Sequence, residues 1–186
     1  MKEILDKILS VSNDELDQIN TEFISNYNFF HDTSYFNGKS SREHYRLLIY
    51  VSSLFSKQTL FDIGTYRCVS AAALSANFKN KVISYDLIQV LPSNPILPNV
   101  EYAIGNCTLD KRLKDSPFMF FDVGHDGTFE KIFYVHLKSI EYKGFVMCDD
   151  IHLNDPMKEW WKNITEEKYD LSSKGHWSGT GLIYFK

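Results

Sequence analysis

Phe61-Asp62-Ile63-Gly64-Thr65-Tyr66-Arg67-Cys68-Val69-Ser70, read together with Tyr85-Asp86, is the stretch that decides the fold. An apolar run from Thr59 to Ile63 leads into a glycine, and a helix-like run from Val69 to Ala76 follows. A second apolar run, Lys81 to Tyr85, then ends in Asp86. Strand, glycine turn, helix, strand, acid is the layout of a nucleotide-type cofactor pocket. Gly64 has no Cβ, so the backbone can turn sharply there and come close to a ligand. The helix that follows opens with N–H groups lacking intrahelical partners. An acid ending the second strand accepts both hydroxyls of a ribose, and Asp62 to Asp86 spans roughly the 20 residues that this role requires. The competing reading of the same residues is an ordinary strand-to-helix turn.

The turn also narrows the cofactor. A pyrophosphate needs close backbone approach and a G-x-G-x-x-G pattern, but here Tyr66 and Cys68 stand where further glycines would sit. NAD and FAD are therefore disfavoured. A cofactor with a ribose and no phosphate fits better, and S-adenosylmethionine is the obvious one.

The rest of the chain is consistent with a globular enzyme. Its 186 residues suffice for a substantial core. Aromatic content is high, with 14 Phe, 11 Tyr and 3 Trp. The net charge is −4 and no basic run stands out, which argues against nucleic acid as a partner. Cys68, Cys107 and Cys148 form neither a C-x-x-C pair nor a zinc pattern, so they read as reduced thiols of a cytoplasmic protein. The N-terminus is charged and amphipathic rather than a signal peptide. No apolar stretch approaches membrane-spanning length, so no membrane role is expected.

Along the chain, Ile4, Leu5, Ile8 and Leu9 form one helical face, and Leu16, Ile19 and Phe23 form another. Residues 1–39 thus read as an N-terminal helical extension, closing in a polar loop from His31 to Lys39, and residues 40–186 as the cofactor-binding domain. Ser40-Ser41-Arg42-Glu43 has the spacing of a capping box opening a helix. Further strands are expected over Val100–Ile104, Phe118–Asp122, Gly144–Cys148, Tyr169–Ser172 and Gly181–Phe185. The Pro-rich piece from Leu91 to Pro98 reads as a loop, and Asp155-Pro156 as an N-cap and first turn of a helix through Trp161.

Several strands end in acids: Asp86, Asp122 and the pair Asp149-Asp150. Ligands of an open parallel sheet bind at that edge. Asp122, Asp149 and Asp150, brought together by adjacent strands, repel one another unless a cation joins them. Oxygen-only ligands suit Mg²⁺, with Mn²⁺ or Ca²⁺ as alternatives. His125, three residues after Asp122, faces the same place and is the candidate general base. The alternative is that these acids cap loops and helices and that His125 is a turn histidine. His152 is read as contacting substrate or packing against Trp160 or Trp161. His44 either closes over the ligand or packs on a helix surface. His176, in the aromatic, glycine-rich loop before the last strand, is a lid or a hairpin residue. Asn106 hydrogen-bonds an adenine edge or serves a turn. His31 and His136 read as structural.

These residues resemble a known group. Phe61-Asp62-Ile63-Gly64-Thr65-Tyr66-Arg67 with Ser70 and Asp86 is similar to the cofactor motifs of class I S-adenosylmethionine-dependent methyltransferases, most of all a small bacterial and viral branch with D/E-I-G-T-x-x-G-x-S. Asp122-Val123-Gly124-His125 resembles that branch's D-G-D-H, and Cys148-Asp149-Asp150-Ile151-His152 its acidic pair after the fifth strand. The resemblance implies a Rossmann-like α/β fold with a seven-stranded, mostly parallel sheet whose last strand is antiparallel and helices on both faces. It implies cofactor contacts from Asp62, Gly64, Thr65, Tyr66, Ser70, Asp86, Asn106 and Asp122, and a divalent metal held by Asp122, Asp149 and Asp150. It implies O-methylation of a small hydroxyl acceptor such as a sugar, with His44, His152 and His176 near the acceptor and a homodimer as one way to close an open pocket. Two departures stand out. Cys68 replaces the usual glycine and is expected to narrow the methionine end. Val123-Gly124 replaces Gly-Asp and removes one acid. A non-catalytic binding or assembly module that keeps the fold is the alternative that Cys68 motivates.

Overall fold

The computed structural model describes residues 1–25, 38–90, 93–94 and 96–186. His31 and most of the loop assigned to it lie outside the described residues, as does part of the Pro-rich loop. The described elements in chain order are α1 (Lys2–Ser10), α2 (Asn13–Asp17), α3 (Glu22–Ser25), α4 (Tyr45–Ser53), β1 (Thr59–Ile63), α5 (Val69–Ser75), β2 (Lys81–Asp86) and β3 (Val100–Ile104). Two short 3₁₀ turns, Cys107–Leu109 and Lys111–Asp115, precede β4 (Phe118–Phe121), α6 (Thr128–Ser139), β5 (Gly144–Asp149), α7 (Asp155–Asn163), β6 (Glu167–Asp170) and β7 (Thr180–Phe185).

The strands form one sheet in the order β3-β2-β1-β4-β5-β7-β6. β1 is parallel to β2 and β4, and β4 to β5. β7 runs antiparallel to both its neighbours. This is the Rossmann-like sheet that the sequence leads one to expect. β1 sends the chain outward to β2 on one side, and the later return to β4 lands on the other side. The crevice between the β1 and β4 ends is therefore the topological switch point at which ligands bind.

Why these segments become strands follows from burial on both faces. Along β4, Phe118 and Phe120 join one core cluster while Met119 and Phe121 join the other. Along β5, Phe145 and Met147 alternate with Val146 and Cys148 in the same way. A period of two with apolar residues on both sides is the signature of a strand covered by helices on both faces. α1, α2, α4 and α5 contribute Leu5, Ile8, Leu16, Leu47, Leu48 and Leu74 to the first cluster. α6 and α7 contribute Phe133, Leu137, Met157 and Trp160 to the second. The N-terminal helices thus share the core of the sheet.

Two local expectations are corrected. No capping box forms at Ser40: its hydroxyl donates to Asp17 Oδ1 at 2.5 Å, and its amide to the same oxygen at 2.7 Å. The helix begins later, at Tyr45. The cap of α7 is Asn154 rather than Asp155, with the Asn154 side chain accepting from the Met157 amide at 2.9 Å. Pro156 sits in the first turn, where its missing N–H costs nothing.

Candidate active site

A cavity of about 590 Å³ opens at the C-terminal ends of β1, β2, β4 and β5. Gly64, Tyr66, Asp86 and Leu87 line one end, and Asp122, His125, Asp149 and Asp150 the other. The loop after β1 is fixed by the protein itself. The amides of Gly64 and Thr65 both donate to the Tyr85 carbonyl, at 2.8 and 3.0 Å. The Tyr66 amide donates to Asp86 Oδ2 at 2.8 Å, and the Leu87 amide to Asp86 Oδ1 at 2.7 Å. With the Ile88 amide also donating to Oδ1 at 3.4 Å, three backbone donors orient the Asp86 carboxylate, and its remaining lone pairs are left for a ligand.

Gly64 has φ +107°, and a Cβ there would lie 1.7 Å from the Asp122 carbonyl oxygen. The glycine is demanded by the close passage of the β1 and β4 ends, where the Asp122 amide donates to the Ile63 carbonyl at 2.8 Å. Its reason is packing of backbone on backbone. The ligand approach inferred from sequence is not what requires it.

At the other end, three imidazoles are interleaved with carboxylates. His125 Nε2 is 3.3 Å from Asp122 Oδ1, and its Nδ1 is 3.4 Å from Asp150 Oδ2. His176 Nδ1 is 3.2 Å from Asp149 Oδ1 and 3.3 Å from Asp150 Oδ1. His176 Nε2 faces Glu43 Oε2 at 3.7 Å. His44 Nδ1 is 3.4 Å from Asp149 Oδ1. The Ser178 hydroxyl bonds the Asp150 carboxylate and stands 2.8 Å from His176 Nδ1. The turn bearing His125 is pinned by its amide on Glu130 Oε1 at 2.8 Å and by Asn154 on its carbonyl at 2.7 Å.

These neighbours set the charges. Burial alone would raise the Asp149 carboxyl, but the His44 charge and the His176 hydrogen bond hold it well below the usual carboxylate range. Burial opposes protonation of His176, yet its hydrogen bonds to Asp149 and Asp150 push its pKa up to about 10. His125 is likewise raised: burial opposes its protonation, but the hydrogen bond to Asp122 and the charges of Asp122, Asp150 and Asp149 together outweigh it. Asp122 is raised by burial and by the Asp149 charge beside it.

No family model matches the sequence, and no curated protein does. Solved structures do match the fold. The cofactor-bound structure of Rv0187 from MTB superposes with a TM-score of 0.60 at 10% identity, over 98% of this chain and 89% of that one. The O-methyltransferase TomG from Streptomyces achromogenes, in complex with S-adenosylmethionine, gives 0.54 at 12% identity, over 75% of this chain and 78% of that one. The S-adenosylhomocysteine-bound methyltransferase PaMTH1 from Podospora anserina gives 0.54 at 12% identity, over all of this chain (100%) and 87% of that one. The chain has the class I methyltransferase fold.

Within that fold the sequence-derived candidates separate into three groups. Gly64, Tyr66, Asp86, Asp122, His125, Asp149 and Asp150 line the cavity. His44 and His176 stand behind it, against Asp149. The remainder sit elsewhere. Thr65 is not among the residues that line the cavity, and its hydroxyl is 2.6 Å from that of Ser84. Asp62 is fully buried and accepts from the Ser84 hydroxyl at 2.6 Å. Burial lifts its pKa to about 7, and the Ser84 and Ser70 hydroxyls offset only part of that rise. Asp62, Thr65 and Ser70 thus brace the loop from beneath. Asn106 caps the first 3₁₀ turn, its side chain accepting from the Thr108 amide at 3.0 Å. The cavity is instead lined by its neighbours Gly105 and Cys107. His152 does not line the cavity; its Nε2 lies 2.7 Å from Asp170 Oδ2 at the surface. Cys68 does not narrow the cavity: it is buried at φ +64°, with Sγ 3.8 Å from Asn94 Oδ1.

The expected all-oxygen metal triad is not among the preformed donor sets of the described residues. Among the described residues, the sets whose donor atoms all lie within 4.8 Å of one another are Glu43–His44–His176, His44–Asp122–Asp149 and Asp149–Asp150–His176. Every set contains an imidazole, and none is Asp122–Asp149–Asp150. Glu43 and Ser178 are the functional neighbours that sequence reasoning missed. The signals were there: Glu43 adjoins His44, and Ser178 lies two residues past His176.

Proposed function

We propose that this chain is an S-adenosylmethionine-dependent methyltransferase acting on a hydroxyl of a small acceptor, with a sugar as the first class to try. One observation carries the reading: a single cavity holds an oriented acid, Asp86, at one end and a base with its acids, His125 with Asp122 and Asp150, at the other. Asp86 accepts the ribose hydroxyls, while Leu87 and Cys107 give the adenine an apolar wall. Asp122 and His125, at the other end, would then hold the acceptor hydroxyl beside the methyl-bearing end of the cofactor. The bound cofactor would supply the methyl group by in-line transfer to the acceptor oxygen, leaving as S-adenosylhomocysteine, and His125 would take the hydroxyl proton. Holding donor and acceptor in that alignment supplies much of the rate. A magnesium ion bound by oxygen alone does not fit the donor sets, so no step is assigned to one. Cys68, which motivated a non-catalytic module, is buried and is not among the residues that line the cavity. We propose a cytoplasmic location, in keeping with the three free, buried thiols. Among the described residues no helix is long and apolar enough to cross a membrane.

Incubating the protein with S-adenosylmethionine and a panel of hydroxylated sugars, and following S-adenosylhomocysteine, tests the reading. His125 acts only when neutral, and its carboxylate neighbours raise its pKa above the ordinary histidine value. The rate should therefore climb with pH and level off only above about 6.5. His125→Gln should remove that limb and lower turnover by about 10²-fold or more. A pH profile unchanged in His125→Gln would assign the base elsewhere.

A further inference from the structure

We propose that Asp149, Asp150 and His176, with His44 behind them, form a mixed nitrogen–oxygen site for a divalent first-row transition ion rather than for Mg²⁺. This rests on the methyl-transfer reading for what the ion would do there, and not for whether it binds.

Four observations meet at this place. The preformed donor sets all include an imidazole, and two of the three include Asp149. Imidazole nitrogen favours Zn²⁺, Fe²⁺, Co²⁺ or Ni²⁺, whereas Mg²⁺ takes oxygen donors in octahedral geometry. His44 is 1% exposed, and neither ring nitrogen has a hydrogen-bond partner. Its Nδ1 faces Asp149 Oδ1 at an ion-pair distance of 3.4 Å. A buried polar ring is costly unless its nitrogens are paired, and the Nδ1 contact with Asp149 leaves Nε2 without a hydrogen-bond partner. An ion on Asp149 gives His44 a role as a donor within reach.

The fourth observation is how His176 is held. Its Nδ1 turns toward both Asp149 and Asp150, and its Nε2 toward the Glu43 carboxylate at 3.7 Å. A metal-binding histidine almost always gives its other ring N–H to a carboxylate or carbonyl, which fixes the ring and its tautomer. Glu43 occupies that position behind His176. Asp149 and Asp150 also line the cavity, so the site opens toward the acceptor end. An ion held there supplies Lewis acidity toward a hydroxyl.

The test is a titration of the dialysed full-length protein with Co²⁺, followed by calorimetry and by visible absorption, alongside Mg²⁺. The proposal predicts one equivalent of Co²⁺, a visible band of an imidazole-containing site, and affinity at least about tenfold above that for Mg²⁺. His176→Gln and Asp149→Asn should each weaken Co²⁺ binding by about tenfold or more. His136→Gln, outside the site, should not. Circular dichroism of each variant verifies the fold, and His176→Gln removes the donor while keeping bulk. Equal affinity for Mg²⁺, or no uptake of Co²⁺, overturns the proposal. Uptake indifferent to His176→Gln and Asp149→Asn means an adventitious ion only, and overturns it as well. S-adenosylmethionine binding measured on the same samples separates this outcome from failure of the methyltransferase reading.

Discussion

Gly64 shows how one atom of side chain can decide a site. A Cβ at Gly64 would meet the Asp122 carbonyl oxygen at 1.7 Å, and backbone at a strand crossing cannot step aside. Gly64→Ala should cost about 3 kcal/mol or more, read as a fall in urea midpoint. A loss below about 1 kcal/mol would mean that the β1 and β4 ends are not so closely apposed. The glycine was legible in the sequence, but its reason was not, because the contacting carbonyl belongs to a strand far along the chain. Asp62 offers a second test. Its carboxyl is raised to about 7 in the folded protein. The unfolded carboxyl titrates near 3.9. Between those values the folded state binds more protons than the unfolded one, so stability falls as pH rises through the window and is flat above it. Asp62→Asn should remove that slope, gaining on wild type by on the order of 2–4 kcal/mol between pH 4 and pH 8. Parallel urea midpoints at the two pH values would contradict this.

At the scale of elements, the strands were the most legible. β1, β2 and β3 have the bounds that the sequence predicts; β1, covered on both faces, leaves the clearest hydrophobic signature, while β3 is an edge strand with no buried residue. Helix starts were less legible. Ser40 has the right spacing for a capping box, yet Asp17 takes its hydroxyl across 23 residues of chain. Spacing alone cannot reveal such a competitor. Helix ends hold an unexpected device at α7. Lys168 Nζ donates to the carbonyls of Trp161, Lys162 and Ile164, at 2.5, 3.0 and 3.1 Å. These close the C-terminal turn, where carbonyls lack intrahelical partners and a cation is favoured. Lys168→Met keeps the aliphatic stem and removes the donors. It should cost about 1–2 kcal/mol in urea unfolding. No change would mean that water satisfies those carbonyls equally well.

At the scale of the whole molecule, the sheet explains why half of the candidate site could be read and half could not. Parallel strands carry their C-terminal tips to one edge, so the acids ending β2 and β5, and Asp122 just past β4, could be placed together from sequence alone. The imidazoles behind them come from elsewhere. His44 sits at the start of the helix before β1, and His176 in the loop before β7. Only folding brings those two rings within 5.7 Å of each other. The same separation hid the change from an oxygen-only donor set to a mixed one. The central claim is that the cavity takes S-adenosylmethionine with Asp86 on its ribose. The most direct measurement is calorimetric titration of S-adenosylmethionine into wild type and Asp86→Ala. The account predicts micromolar binding in wild type and a loss of about tenfold to hundredfold in the variant, the worth of hydrogen bonds to a charged group. No binding to wild type, or equal binding to both proteins, would contradict it.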